Sequence, residues 1–427
     1  MADVKLIPLE VLLGHPERTA AQISPDGKRL SYVAPLDGVL NVFVGEAGTG
    51  NERPVTHDSA RGIQGYLWAY DNRHLLYMRD KDGSENFRLY DVDLETGVER
   101  DLTPVEDVQC RIISHQKRFP NDVLLGLNKD NPQLHDVYHL DLTTGKLKKI
   151  VENPGFVAWV VDDDLKVRGA VATTPDGGAV ILVRDDEASD WRPLLEVAPE
   201  DAESTGPVAF TKDGKGIDIQ TSVDANTARL VTMDIATGAV ELIAEDPKYD
   251  IAGVLINPDT RAIQAVTVYR DRLEYRIFDD AIRGDVEALQ RLNAGELVIS
   301  GRDYDDATWL VWFGGSGPAK FYRWDRHSKT ATFLFDQRPQ LNDYPLVPME
   351  PFTLLRAMGY HPRLSVVSCR RRAHQPAGCP GRSWRTVGAG GLGTGCRGAV
   401  ARQPRLPVCA GEFPRLQRLW QGLFERR

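Results

Sequence analysis

Asp93-Leu94-Glu95-Thr96-Gly97 returns as Asp141-Leu142-Thr143-Thr144-Gly145 and again as Asp234-Ile235-Ala236-Thr237-Gly238. A short strand-like run precedes these turns, for example Arg88-Leu89-Tyr90 or Asp136-Val137-Tyr138. Gly97 to Gly145 is 48 residues and Gly145 to Gly238 is 93, or two steps of about 46. A second marker keeps the period: Ser24-Pro25-Asp26-Gly27-Lys28, Ala69-Tyr70-Asp71-Asn72-Arg73, Thr211-Lys212-Asp213-Gly214-Lys215 and Asn257-Pro258-Asp259-Thr260. Its aspartates step by 45, then by 142 (three periods), then by 46. A fixed period of this length is the signature of a repeat architecture.

The residues between the markers decide which one. Leu30-Ser31-Tyr32-Val33-Ala34, Asn41-Val42-Phe43-Val44, Leu75-Leu76-Tyr77-Met78 and Ile217-Asp218-Ile219-Gln220 are β-branched and aromatic with partial alternation, as strands require and solenoid helices do not. Asp-Gly and Thr-Gly pairs supply the positive φ of tight hairpins. Four short strands and their turns fill about 46 residues, the size of one propeller blade. The expected fold is therefore all-β: a seven-bladed β-propeller over 20–350, with a short N-terminal segment over 1–19 and an irregular tail over 351–427. One interruption is helical. Ile282, Val286, Leu289 and Leu292 follow an Asp-rich start and precede Asn293-Ala294-Gly295, which predicts a short packing helix near 280–292 inserted in the sixth unit.

The net charge of the 427 residues is −9, from 52 basic and 61 acidic side chains. The total hides a split. Residues 361–427 hold 13 Arg, 2 Glu, no Lys and no Asp, a net of +11, which leaves 39 basic and 59 acidic residues, a net of −20, in 1–360. An acidic body argues against a broad phosphate-binding surface. Met1-Ala2-Asp3-Val4-Lys5 opens no secretory leader, and no apolar run is long enough to span a membrane, so no membrane partner is expected. Four of the five cysteines (Cys369, Cys379, Cys396, Cys409) lie in the tail and only Cys110 in the body, which points to a reduced, cytoplasmic protein.

With the propeller reading in hand, four segments resemble the N-terminal β-propeller of the prolyl oligopeptidase family of serine peptidases, in particular its acylaminoacyl-peptidase-like branch. They are Pro8-Leu9-Glu10-Val11-Leu12-Leu13-Gly14-His15-Pro16, Ser24-Pro25-Asp26-Gly27-Lys28, Glu85-Asn86-Phe87-Arg88-Leu89-Tyr90 and Val347-Pro348-Met349-Glu350-Pro351-Phe352. The resemblance spans about residues 5–352. It implies a propeller that caps an α/β-hydrolase domain and gates a short peptide substrate, with a Ser nucleophile on a Gly-x-Ser-x-Gly elbow followed by Asp and His. The sequence holds no such elbow: Gly314-Gly315-Ser316-Gly317-Pro318 ends in Pro, and Gly381-Arg382-Ser383-Trp384-Arg385 ends in Arg. No catalytic, cofactor or metal residue is therefore assigned.

The tail reads as GC-rich DNA in the wrong frame, with 10 Gly and 6 Pro among its 67 residues and arginine as its only basic side chain apart from histidine. Ser383-Trp384-Arg385-Thr386-Val387-Gly388-Ala389 can be encoded so that a start one base later gives His-Gly-Gly-Pro-Trp-Ala, the oxyanion-side signature that the resemblance implies. The same shift turns Cys409-Ala410-Gly411-Glu412-Phe413-Pro414-Arg415-Leu416-Gln417-Arg418-Leu419-Trp420-Gln421 into Val-Gln-Val-Asn-Phe-Arg-Gly-Ser-Ser-Gly-Tyr-Gly-Lys. The expectation is a frame lost between Phe352 and about Tyr360, and a truncated chain without hydrolytic activity.

Competing sites are weaker. Arg370-Arg371-Arg372 with Trp384 and Trp420 has the composition of a nucleic-acid patch, but the shift explains the arginines and no nucleic-acid partner is expected. The tail cysteines lack a Cys-x-x-Cys pair. His135 and His139 on a strand would stand about 13 Å apart, too far to share an ion. Asp162-Asp163-Asp164, Asp185-Asp186-Glu187 and Asp303-Tyr304-Asp305-Asp306 read as solvated loops rather than calcium sites. Leu6, Val11, Leu12 and Leu13, near the surface that would face a hydrolase, predict self-association. The alternative to a peptidase lid is a free-standing propeller that binds a protein or peptide.

Overall fold

The computed structural model describes residues 5–63 and 65–349. The frame-shift expectation, the tail cysteines, Arg370-Arg371-Arg372, Trp384 and Trp420 all lie outside the described residues. The chain divides into two compact units. The larger comprises His15–Phe313 and Lys320–Gln337; the smaller comprises Met1–Gly14, Gly314–Ala319 and Arg338–Arg427.

The larger unit is a seven-bladed β-propeller. Its sheets occupy residues 19–54, 65–101, 110–151, 158–197, 206–244, 251–277 and 296–336, and each is an antiparallel meander in chain order. The first strands of neighbouring blades approach one another, Thr19–Ile23 of blade 1 touching both Gly65–Trp68 of blade 2 and Glu296–Arg302 of blade 7. First strands therefore line the channel and the ring closes.

Both sequence markers have a structural cause. In the first, the aspartate carboxylate accepts from the amide two residues on (Asp93 Oδ1 from Glu95, 2.9 Å; Asp141 Oδ1 from Thr143, 2.8 Å), and the closing Gly97, Gly145 and Gly238 take φ of +71°, +68° and +72°. This is the Asx turn that joins third to fourth strands. The second marker joins first to second strands, with Gly27 at φ +71° and Asn72 at +59°.

Stacked sheet faces form the core. Leu76 and Leu89 of blade 2 pack on Val123, Leu125 and Leu140 of blade 3, all nearly inaccessible to solvent. Removing such a leucine from water contributes about 2 kcal/mol. Blade 6 departs from the expected four strands. Its sheet has three, Ile251–Ile256, Ile263–Tyr269 and Leu273–Ile277, and the helix Asp280–Leu292 follows the third. Asp279 caps that helix by accepting from Ala281 N at 2.9 Å, and Ile282, Val286 and Leu289 bury one face at helical spacing. The insertion anticipated near 280–292 is thus present, and no fourth strand joins the blade 6 sheet among the described residues.

No sheet combines strands from the two ends of the ring among the described residues. Among the bonds that join blades 1 and 7 instead are Glu17 N donating to Gln337 O at 3.0 Å, Gln337 Nε2 donating to Thr19 Oγ1 at 2.9 Å and Tyr304 N donating to Pro25 O at 2.5 Å, with the rings of Tyr32 and Phe335 at 5.7 Å.

In the smaller unit the helix Leu9–Leu13 buries no residue, and Arg338 Nη1 donates to Val11 O at 3.1 Å. Ser316, the serine of the elbow-like motif, accepts the amide of Met349 at 2.7 Å. None of the helices among the described residues is long and apolar enough to cross a membrane.

Candidate functional site: the two ends of the channel

The direction of the first strands defines two ends. At the root end these strands begin, and there Glu17 N bonds to Gln337 O. At the opposite, turn end, seven first-to-second-strand turns converge. The turn end is bridged by charge. Lys117 of blade 3 donates to Asp259 Oδ1 of blade 6 at 2.7 Å and to Tyr304 O of blade 7 at 2.5 Å, with Nζ 4.0 Å from the Tyr304 ring centre. Blades 3 and 6 are as far apart as a seven-membered ring allows, so this pair spans the mouth.

Asp163 of blade 4 gathers three cations from three blades: Arg261 Nε of blade 6 at 2.8 Å, Arg118 of blade 3 at 3.5 Å, and Lys212 of blade 5. Burial alone would raise the Asp163 carboxyl, but the hydrogen bonds from Lys212 and Arg261 outweigh it and hold it below the usual carboxylate range. The ring of Tyr70 of blade 2 lies tilted against His115 with centres 4.6 Å apart and meets Tyr304 edge-on at 6.3 Å. Burial depresses His115 to about 4, against smaller opposing effects of a Pro120 backbone hydrogen bond and the Asp71 charge, so its imidazole is neutral at pH 7.

The acidic clusters therefore need a correction: they are not simply solvated loops. The Asp163 side chain is only 10% exposed because cationic neighbours surround it. Asp306 binds Arg326 Nη1 at 2.6 Å and accepts from Trp309 Nε1 at 2.6 Å. Asp186 closes its own turn on Ala188 and Ser189, nearer to the expectation. His135 and His139 serve different neighbours, His139 Nε2 lying 2.6 Å from Asp122 Oδ1. Among the described residues no group of three or more His, Cys, Asp or Glu side chains is placed to hold a metal ion.

At the root end a cavity of about 520 Å³ opens between blades 3 and 4. Arg111, Gln109 and Asn128 of blade 3 line it, with His135 and the aromatic pair Phe156 and Trp159. Nothing in the sequence singled out Lys117, Arg118, Arg261 or Arg111, because their partners are set by ring closure and not by spacing.

Such a ring, closed without a shared strand and bridged at one mouth, is that of a seven-bladed propeller. Over its propeller the chain is a homologue of dipeptidyl aminopeptidases and dipeptidyl peptidases. It is 40% identical over 354 residues to dipeptidyl aminopeptidase BIII of Pseudoxanthomonas mexicana, covering 82% of this chain and 51% of that protein. It is 28% identical over 363 residues to dipeptidyl peptidase family member 6 of Caenorhabditis elegans, covering 80% and 49%. The chain thus spans about half the length of these relatives. No family model matches it. Among solved structures it is similar in fold to a prolyl endopeptidase (TM-score 0.55, 12% identity, 78% of this chain and 54% of that one). A second is the β-propeller domain of the Trilobed protease from Pyrococcus furiosus, described as having an open velcro topology (TM-score 0.50, 13% identity, 76% and 96%).

Proposed function

We propose that this chain is the substrate-gating propeller of a prolyl-oligopeptidase-type serine peptidase acting on short or N-blocked peptides in the cytoplasm, and that the 427 residues by themselves do not hydrolyse peptides. The 40% identity to a dipeptidyl aminopeptidase carries this reading. The bridged turn end supports it: a peptide entering there would have to break Lys117–Asp259, so the bridge filters by size and charge. A free, buried Cys110 suits a reducing compartment. Covalent catalysis by the family's route needs a serine on its elbow, and the sequence contains no Gly-x-Ser-x-Gly. The out-of-frame tail accounts for that under the same proposal.

Two preparations test it side by side, the chain as it stands and the product of a gene shifted by one base after Phe352. Both are offered acyl-amino-acid and dipeptidyl chromogenic substrates. Turnover from the corrected product alone is expected. Turnover from neither, together with a protein captured equally by both, would favour a free-standing binding module instead.

A further inference from the structure

The root-end cavity has a charge asymmetry that its surroundings do not explain. The body of the chain is strongly acidic, yet no residue lining this cavity is acidic and Arg111 is its only cation. Arg111 donates through Nε to Gln109 Oε1 at 3.0 Å and forms no ion pair among the described residues. Opposite it, the His135 ring is neutral: burial and then the Arg111 charge lower its pKa, and its buried Nε2 has no partner among the described residues.

The rest of the cavity is built and rigid. Asn153 clamps Phe156, accepting its amide at 2.6 Å and donating to its carbonyl at 2.9 Å. Trp159 Nε1 donates to His135 O at 3.1 Å, and Phe156, Trp159 and Trp191 pack with ring centres 5.2–5.9 Å apart. Gly126 keeps the space open, since a Cβ there would come within 3.2 Å of His135 Cβ.

We propose that this cavity binds the carboxylate of a short peptide, with Arg111 as its charge partner and the Phe156–Trp159 wall holding the flanking apolar side chain. A guanidinium without a carboxylate partner among the described residues favours a carboxylate, and a clamped aromatic wall favours an organic ligand over a bare anion. The assignment deepens the peptidase reading and rests on it for the choice of ligand.

Isothermal titration of the full chain tests it with Ala-Ala-Phe, its C-terminal amide, and Ala-Glu-Phe-amide, which moves the carboxylate to a side chain. The free acid is expected to bind at one site at least tenfold more tightly than the amide. Ala-Glu-Phe-amide decides between a chain-terminal and a side-chain carboxylate. Arg111→Gln, at an exposed position, should bring the acid down to the level of the amide, and Gly126→Val should abolish both while the circular dichroism stays native. Arg283→Gln, on the exposed face of the helix Asp280–Leu292, should change neither. Equal affinity for acid and amide, an unaltered Arg111→Gln, or inorganic phosphate competing as well as the peptide would overturn the proposal. A one-base-corrected product without hydrolysis would instead sink the peptidase reading and leave a positive titration standing.

Discussion

Lys117 Nζ lies 2.7 Å from Asp259 Oδ1, a bond across 142 residues of sequence and across the full width of the ring. Its side chains are 20% and 56% exposed, so solvent screens the pair and its energy is that of a surface bridge, about 1 kcal/mol or less. Its importance is positional. Lys117→Met should cost little in urea unfolding yet speed hydrogen exchange at Tyr304 and its neighbours, and in the native protein the same exchange should quicken with salt. Unchanged exchange in both cases would show that the bridge holds nothing shut.

Asp285 is a different case. It is wholly buried on the inserted helix, with Trp324 Nε1 at 2.8 Å, Arg326 Nε at 3.1 Å and Lys329 Nζ at 2.5 Å, all from blade 7. Asp285→Ala strands those donors, and a loss of about 3–5 kcal/mol is expected from equilibrium urea titration. A loss below about 1 kcal/mol would mean that the helix is not pinned there.

His115 gives the fold an acid limit. Its folded pKa of about 4 lies below the unfolded value of about 6.5, so the unfolded chain takes up the proton first. Its contribution is complete above the unfolded pKa and is lost as pH falls towards the folded one, by about 3 kcal/mol at most. His115→Phe should flatten stability against pH between about 6.5 and 4; an unchanged slope would show that the imidazole titrates normally.

Burial pushes the Cys110 thiol up to about 12. Peptide-resolved alkylation at pH 8 should therefore leave Cys110 unlabelled in the native protein and label it in urea. Labelling at equal rates would contradict its burial.

The short helix Leu9–Leu13 bears Leu9 at 62% and Leu13 at 80% exposure, and Leu6 beside it is 61% exposed. We expect concentration-dependent association in sedimentation velocity, relieved by Leu9→Glu with Leu13→Glu. A monomer at every concentration would remove that expectation.

The sequence disclosed the blades wherever a turn needs a residue with few substitutes. Gly97, Gly145 and Gly238 sit at positive φ, so the period shows there. Blade 7 makes the same kind of turn at Asp325, whose carboxylate accepts from His327 and Ser328, but Lys329 takes the φ of +53° and the marker vanishes from view. Blades 3 and 4 are likewise silent at the turn end, where Lys117-Arg118 and Asp162-Asp163-Asp164 stand in place of the Asp-Gly form. Their charge serves partners in other blades. The inserted helix was legible because Ile282, Val286 and Leu289 repeat at its own period. The cavity was not, since Arg111, His135 and Trp159 meet only after two sheets have been laid side by side.

The junction of blades 1 and 7 has a mechanical implication. Every blade is complete from its own stretch of chain, and the fastening between first and last includes the Glu17–Gln337 and Gln337–Thr19 bonds, the Tyr304 amide on Pro25 O, and Tyr32 and Arg18 against the Phe335 ring. Tension on the two ends of the ring would load that clasp directly. It can part as a buckle does, turning a closed circle into a C while each sheet keeps all its strands.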